Sequence, residues 1–161
     1  MLSRRNFFLN SVLLGVAGIV PINVNGSPDS SDKLVRLVDS DSAQLLAGVS
    51  QIDVTPTLGT IINGEFTNRY AQSISDPLFV KSLVFKKGKE LFGFVVVDNT
   101  AMRHDFIEDV KKRIYEKTGV TRGQILISCT HTHTAGSVAD LLLGHVDIEY
   151  TEKLKNGIVK G

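Results

Sequence analysis

The chain has 161 residues, of which 42% are hydrophobic and 22% charged, a balance that excludes an intrinsically disordered protein and suffices for one domain with a hydrophobic core. Lysine and arginine total 18 against 17 acidic residues. Because Arg4 and Arg5 are the only charges in the first 26 residues, the remainder is nearly neutral, and no nucleic-acid partner is predicted. The only cysteine, Cys129, excludes an intrachain disulfide and is predicted to be a buried, inert thiol.

Residues 1–26 are predicted to be an export signal of the twin-arginine type. Residues 3–9 (SRRNFFL) place the paired arginines directly before an apolar stretch, which runs over residues 7–20. This stretch is shorter than the ~20 residues that a membrane span needs, and Pro21 ends any helix. We therefore expect a periplasmic or secreted protein; an uncleaved N-terminal anchor is the alternative.

Residues 27–44, rich in serine and aspartate, are predicted to be a linker, and residues 45–161 the folded domain. The domain opens with a strand over 45–54, which Thr55 and Pro56 end. Residues 57–75 contain glycine and asparagine but few periodic apolar positions. A loop of this length in a compact domain is usually functional or covers a site.

Two apolar runs, residues 78–85 and 91–97, flank a short connection containing Gly88 and predict a β-hairpin. Asp98 follows the second run. We expect its carboxylate to cap the next turn or helix, although a strand-end carboxylate also suits a site.

A helix is predicted over residues 103–117, with Gly119 as its C-cap, and a second over 147–160. His104 and His145, near the starts of these helices, are predicted to be structural and surface residues. The alternation of strands and helices predicts an α/β domain in which helices pack on a mixed sheet and the site lies at strand ends.

The stretch Gln124–Gly136 (QILISCTHTHTAG) is the strongest candidate for chemistry. Its apolar run, residues 125–127, is typical of a strand covered on both faces. If the extended conformation continues to residue 133, the two-residue period places the imidazoles of His131 and His133 on one side. Two convergent imidazoles suit a metal or oxyanion site; ordinary hydrogen-bonded loop histidines are the alternative.

Four segments, in this order, resemble the neutral/alkaline non-lysosomal ceramidase family. They are AGVSQIDVTP (residues 47–56), DPLFVKSLV (76–84), VVVD (95–98) and ISCTHTHT (127–134). The resemblance extends from about Ala47 to Gly161. It implies a zinc amidase that cleaves the N-acyl amide bond of a ceramide-like lipid, with peripheral contact to a membrane as a further implication.

The resemblance also implies roles for the two histidines. His131 is similar to a ligand of the catalytic Zn²⁺, and His133 to the residue that donates a hydrogen bond to the substrate or to the developing oxyanion. These roles are chemically consistent, because zinc lowers the pKa of its bound water to about 7 and an oxyanion donor is worth about 3 kcal/mol.

The sequence departs from the family in two places. The family usually continues after its two histidines with Ser-Gly-Pro, whereas Thr134–Ser137 reads Thr-Ala-Gly-Ser. The family's other zinc ligands lie further along the chain and have no counterpart before Gly161, so we expect a truncated, N-terminal portion of a longer enzyme. Two alternatives remain, namely another metal-dependent hydrolase with the same H-x-H strand end and a non-catalytic exported domain that binds a lipid or glycan.

Overall fold

The computed structural model describes residues 33–37, 44–141 and 144–161. The predicted signal, residues 1–26, lies outside the described residues, as does most of the predicted linker. In the part of the chain that the model describes, no helix is long and apolar enough to cross a membrane.

The described elements alternate strands and helices. In chain order they are β1 (Lys33–Leu37), β2 (Leu45–Asp53), β3 (Ile61–Ile62), β4 (Arg69–Tyr70), β5 (Phe79–Lys87), β6 (Glu90–Val97), α1 (His104–Thr118), β7 (Ile125–Cys129) and α2 (Ile148–Lys160). A 3₁₀ turn at Arg122–Gln124 precedes β7. Strand β1 lies within the predicted linker and was not among the predicted strands. Its five residues (KLVRL) are too few to stand out between serines and aspartates.

Five strands form a mixed sheet in the order β1–β2–β5–β6–β7, and β3 pairs with β4 in a separate hairpin. The strands β1, β2, β5 and β6 pair antiparallel, whereas β7 lies parallel to β6. The hairpin between β5 and β6 closes through Gly88 and Lys89, and Gly88 has the positive φ of 59° that such a tight turn requires. The predicted α/β fold with a mixed sheet is confirmed.

The core lies between one face of this sheet and the two helices. Inward-facing strand residues such as Val80 and Val97 meet one stripe of each helix, including Val110 of α1 and Leu154 of α2. Helix α1 ends at Gly119, whose φ of 74° gives the predicted C-cap, and Asp147 caps α2 by accepting a hydrogen bond from Tyr150 N. Burial of these stripes supplies the main driving force for folding.

The opposite face of the sheet is exposed among the described residues. Leu126 is 53% exposed, and Phe92, Phe94 and Val96 of the neighbouring strand are also exposed. The prediction that residues 125–127 are covered on both faces is therefore wrong for the described part of the chain: Ile125 and Ile127 face the helices and Leu126 faces away. An apolar run alone does not distinguish one covered face from two.

The β6–α1–β7 unit positions the candidate site. Parallel pairing sets Val97 opposite Cys129, so the two strands end at the same edge of the sheet. The segments that follow them, residues 98–100 and 130–133, consequently start side by side. This juxtaposition follows from topology, because a parallel pair must bring its carboxyl ends together.

Candidate active site

The histidine loop, residues 130–137, begins where β7 stops. Thr130 N donates to Val97 O at 3.0 Å, and His131 then adopts a left-handed conformation with φ 62°. The condition that the extended conformation continues to residue 133 is not met, because the strand ends at Cys129. A positive φ is uncommon outside glycine, although histidine is among the residues that tolerate it better.

The two imidazoles nevertheless meet. The Nε2 atoms of His131 and His133 are 3.3 Å apart, and the rings lie edge to face with 4.9 Å between their centroids. The turn at His131, and not strand alternation, produces this convergence. The structure thus brings together both histidines that the sequence singles out, whereas His104 and His145 are exposed residues elsewhere.

Thr100, in the segment after β6, fixes the orientation of His131. Its main-chain oxygen lies 2.7 Å from His131 Nδ1 and can only accept, so the hydrogen bond assigns the ring hydrogen to Nδ1. The lone pair of His131 Nε2 then faces His133, whose Nε2–H donates to it. The buried Thr100 hydroxyl also donates to Thr132 O at 2.6 Å, so one residue holds both sides of His131. Cys129, half-buried rather than fully buried, places its Sγ 3.5 Å from Thr100 O.

Asn99 and Tyr150 support the histidine loop from beneath. Asn99 is fully buried and donates from Nδ2 to Gly136 O at 3.0 Å. The ring of Tyr150 lies directly against Gly136, where an added Cβ would come within 2.3 Å of Tyr150 Cδ1. Burial raises the pKa of the Tyr150 hydroxyl, so this group stays neutral.

The loop predicted to be functional or to cover a site, residues 57–75, lies over the histidine loop. Ser137 N donates to Ile61 O at 2.7 Å, and Asn63 N donates to Ala135 O at 3.1 Å. Two further contacts reach His133 itself: Arg69 Nη2 donates to its main-chain oxygen at 2.7 Å, and Gly64 lies against its ring. The hairpin β3–β4 therefore completes the surroundings of the histidine pair.

Asp98 does not cap a following turn or helix, contrary to expectation. Its carboxylate accepts a hydrogen bond from Phe79 N at 2.9 Å, and its own N–H donates to Phe79 O at 2.9 Å. Asp98 thus extends the pairing of β5 with β6 by one residue, because its side chain takes the place of a main-chain acceptor.

A cleft of about 370 Å³ opens beside the histidine loop. Thr134 forms one side of it, and Arg69, Tyr70, Ile74 and Leu78 form much of the rest. The wall therefore combines apolar side chains with Arg69, Asp76 and several neutral polar residues, among them Gln72 and Ser73. The volume of the cleft is in the range of small-molecule sites.

A fit to zinc can be judged from the donor atoms. His131 has the arrangement of a metal-ligating histidine, since a carbonyl holds Nδ1–H and leaves Nε2 as the donor. A catalytic zinc needs three protein ligands, and no cluster of three His, Cys, Asp or Glu side chains occurs among the described residues. The chain thus offers a well-formed first ligand but not, in its described part, the complete set.

Comparison with known proteins shows which solved structures have a similar fold. No family model matches the sequence, and no curated protein matches it either. Among solved structures, neutral ceramidase from Pseudomonas aeruginosa matches with a TM-score of 0.66 at 15% identity, over 74% of this chain and 21% of that one. A ceramidase complexed with C2 matches with a TM-score of 0.63 at 14% identity, over 73% and 20%. The fold is therefore similar to part of neutral ceramidase, and the chain spans about a fifth of the length of these structures.

Several residues of the site were not predicted. Thr100 acts through its main-chain oxygen, which any residue could supply, so its identity carries no signal. Asn99, Arg69 and Tyr150 reach the histidine loop across 37, 64 and 14 positions of sequence, too far for local patterns to reveal. Gly64 could have been recognised from the sequence, because a glycine in a long loop indicates a positive φ or a close approach of another group.

Proposed function

We propose that the protein is an exported zinc-dependent amidase that hydrolyses the N-acyl amide bond of a ceramide-like lipid. The observation that carries the proposal is the hydrogen bond from His131 Nδ1 to Thr100 O, which directs His131 Nε2 to the point that His133 Nε2 also faces. The likeness of the fold to part of neutral ceramidase supports the amidase class. Export by the twin-arginine route rests on residues 3–9 alone.

His131 would hold the zinc through Nε2, together with further ligands that are not in a cluster among the described residues. When bound, zinc lowers the pKa of a water to about 7 and polarises a carbonyl group. The main-chain oxygen of Thr100 keeps His131 in the tautomer that metal binding needs, and the burial of Thr100 excludes water from that hydrogen bond.

His133 would act as a hydrogen-bond donor to the substrate. In the structure its Nε2–H donates to His131 Nε2. With the lone pair of His131 Nε2 taken up by zinc, the His133 hydrogen would be free for a substrate carbonyl oxygen, which would accept it as negative charge develops. One such donor contributes roughly 3 to 4 kcal/mol in comparable sites. The apolar part of the neighbouring cleft, around Tyr70, Ile74 and Leu78, suits an acyl chain.

The test is zinc content and amide hydrolysis, measured on the full-length protein. His131→Ala should lose the bound zinc, whereas His133→Ala should keep it and lose activity by about 10²–10³-fold. His104→Ala is the matched control, because His104 is exposed at the start of α1. This variant should keep both the bound zinc and the hydrolytic activity. Equal zinc in the wild type and in His131→Ala would overturn the ligand assignment. Faster hydrolysis of short-chain amides than of N-acyl sphingosine would contradict the proposal that the substrate is a ceramide-like lipid.

A further inference from the structure

The hairpin β3–β4 and the turn between its strands, residues 61–70, contact the second part of the histidine loop, from His133 to Ser137. Main-chain hydrogen bonds join Ile61 to Ser137 and Asn63 to Ala135, and Ile62 pairs with Gly136 in an isolated bridge. The hairpin therefore continues beside the loop as a strand would. Its two remaining contacts are made to His133.

The first contact is with the main chain of His133. Arg69 Nη2 donates to His133 O at 2.7 Å, and the Arg69 guanidinium lies 3.5 Å from Glu65 Oε1. The charged donor makes this hydrogen bond stronger than one between neutral groups. Since both side chains are about half exposed, the ion pair with Glu65 adds little energy of its own and serves to orient the guanidinium.

The second contact is with the ring of His133. Gly64 has φ 103°, and a Cβ built there would lie 2.7 Å from His133 Cγ and 2.8 Å from Nδ1. Main chain therefore closes one side of the imidazole. The buried Asn63 holds Gly64 in place, because Asn63 Oδ1 accepts from Gly64 N at 2.7 Å and Nδ2 donates to Ala139 O at 3.0 Å.

We propose that Arg69 is a positioning residue for His133: it holds the main-chain carbonyl from one side while Gly64 closes one side of the ring. His131 is fixed by a different part of the chain, Thr100 beneath the loop, and the hydrogen bond between the two Nε2 atoms joins the rings. The consequence for catalysis rests on the proposed function; the ordering of His133 does not.

The test compares Arg69→Met with Arg69→Lys. Methionine keeps an unbranched apolar stem and removes every donor, whereas lysine restores one charged donor. Arg103→Met is the matched control, because Arg103 is exposed and pairs with its neighbour Asp105 at 3.5 Å. Labels of ¹³C at the histidine Cε1 atoms give NMR signals that are assigned by the signal lost in His131→Ala, His133→Ala or His104→Ala, and their relaxation reports the ordering of each ring without metal.

We expect Arg69→Met to increase the mobility of the His133 ring while His131 and His104 keep their wild-type relaxation. Arg69→Lys should restore part of the order, and Arg103→Met should change none of the signals. A general loss of folding would mobilise all the rings together. Wild-type relaxation of His133 in a folded Arg69→Met protein would overturn the inference, as would loss of His133 order in Arg69→Lys equal to that in Arg69→Met.

Zinc content and turnover separate this inference from the proposed function. Arg69→Met should keep the wild-type zinc content, while kcat falls by up to about 100-fold with a smaller change in KM, since displacement of a catalytic group by about 1 Å can cost that much. A wild-type protein that holds no zinc would contradict the proposed function and leave the NMR result for His133 standing. An unchanged kcat in a folded, zinc-loaded Arg69→Met protein would overturn the positioning role in catalysis.

Discussion

The helix-covered core and the strand-end layer are held together by different forces. The strand-end layer comprises residues 57–76, 130–141 and 144–147. In the core, side chains such as Val80, Val110 and Leu154 are fully buried and contact one another through non-directional packing. In the strand-end layer, segments far apart in sequence meet through hydrogen bonds of fixed geometry, such as that from Ser137 N to Ile61 O.

The difference shows which changes each region tolerates. A core position accepts another apolar side chain of similar volume, because packing is satisfied by shape and polarity alone. The strand-end layer depends on close approach at particular glycines, Gly64 against His133 and Gly136 against Tyr150, where no side chain fits. Removal of atoms should therefore damage the core most. Addition of atoms should damage the strand-end layer, as it would at the core glycine Gly157, which lies against Val54.

The largest effect expected is that of Leu154→Ala in the core. Leu154 is 0% exposed, and deletion of a buried leucine to alanine lowers the free energy of unfolding by about 2–5 kcal/mol. Denaturant-induced unfolding measures this loss. Ile148→Ala, at the start of the same helix and 79% exposed, is the control and should change stability by less than about 0.5 kcal/mol. Equal losses in the two variants would show that α2 does not pack on the sheet as described.

Gly136→Ala should have the next largest effect on the free energy of unfolding, because it adds a methyl group where Leu154→Ala removes side-chain atoms. The new methyl group would lie 2.3 Å from Tyr150 Cδ1, so the ring or the loop must move, at a cost of about 1–3 kcal/mol. Gly123→Ala is the control, because an added Cβ there meets no atom within 4 Å.

The position of Gly136 makes the same variant informative about the site. Movement of the loop should also disturb the distance between the two imidazoles, which a crystal structure of the variant would measure. Stability equal to that of Gly123→Ala would contradict the contrast between the core and the strand-end layer.

The same contrast separates what could be predicted from sequence from what could not. Apolar periodicity predicts α1, α2 and the hairpin β5–β6 to within a few residues, because each buries one face against the core. Strand β1 is too short for such a signal. In the strand-end layer the pattern identified His131 and His133, but it gave the wrong reason for their convergence, since the turn at His131 depends on contacts made after folding.

Those contacts explain why the rest of the site escaped prediction. The partner of His131 is a main-chain atom of Thr100, and the partner of His133 O is a side chain 64 residues away. Neither of these contacts produces a periodic pattern in the sequence. A candidate site can thus be located by its chemically distinctive residues, while the groups that orient them become visible only when the fold brings them together.

The smallest effect expected lies at the rim of the core, where Asp109 of α1 binds Lys155 of α2 at 2.8 Å and Arg113 at 2.9 Å. The hydrogen bond from Lys155, and secondarily that from Arg113, holds the pKa of Asp109 below its ordinary value of 3.8. A carboxyl group whose pKa is lower in the folded state stabilises the fold above the unfolded pKa, and this contribution disappears as the pH falls through the folded pKa. Because Asp109 is partly exposed, Asp109→Asn should cost no more than about 1 kcal/mol at pH 7.

Unfolding in denaturant at pH 7 and at pH 3 tests this expectation. The difference between the wild type and Asp109→Asn should shrink at the lower pH, because below pH 3.8 the unfolded chain takes up a proton at Asp109 more readily than the folded chain, which lowers the stability of the wild type. Glu116→Gln is the control, since Glu116 pairs with Lys112 at 3.8 Å on the open side of the same helix and makes no contact between helices. If Asp109→Asn and Glu116→Gln behave alike at both pH values, the contacts of Asp109 contribute nothing beyond an exposed pair, and apolar packing together with the Arg113–Glu152 pair holds the helices together.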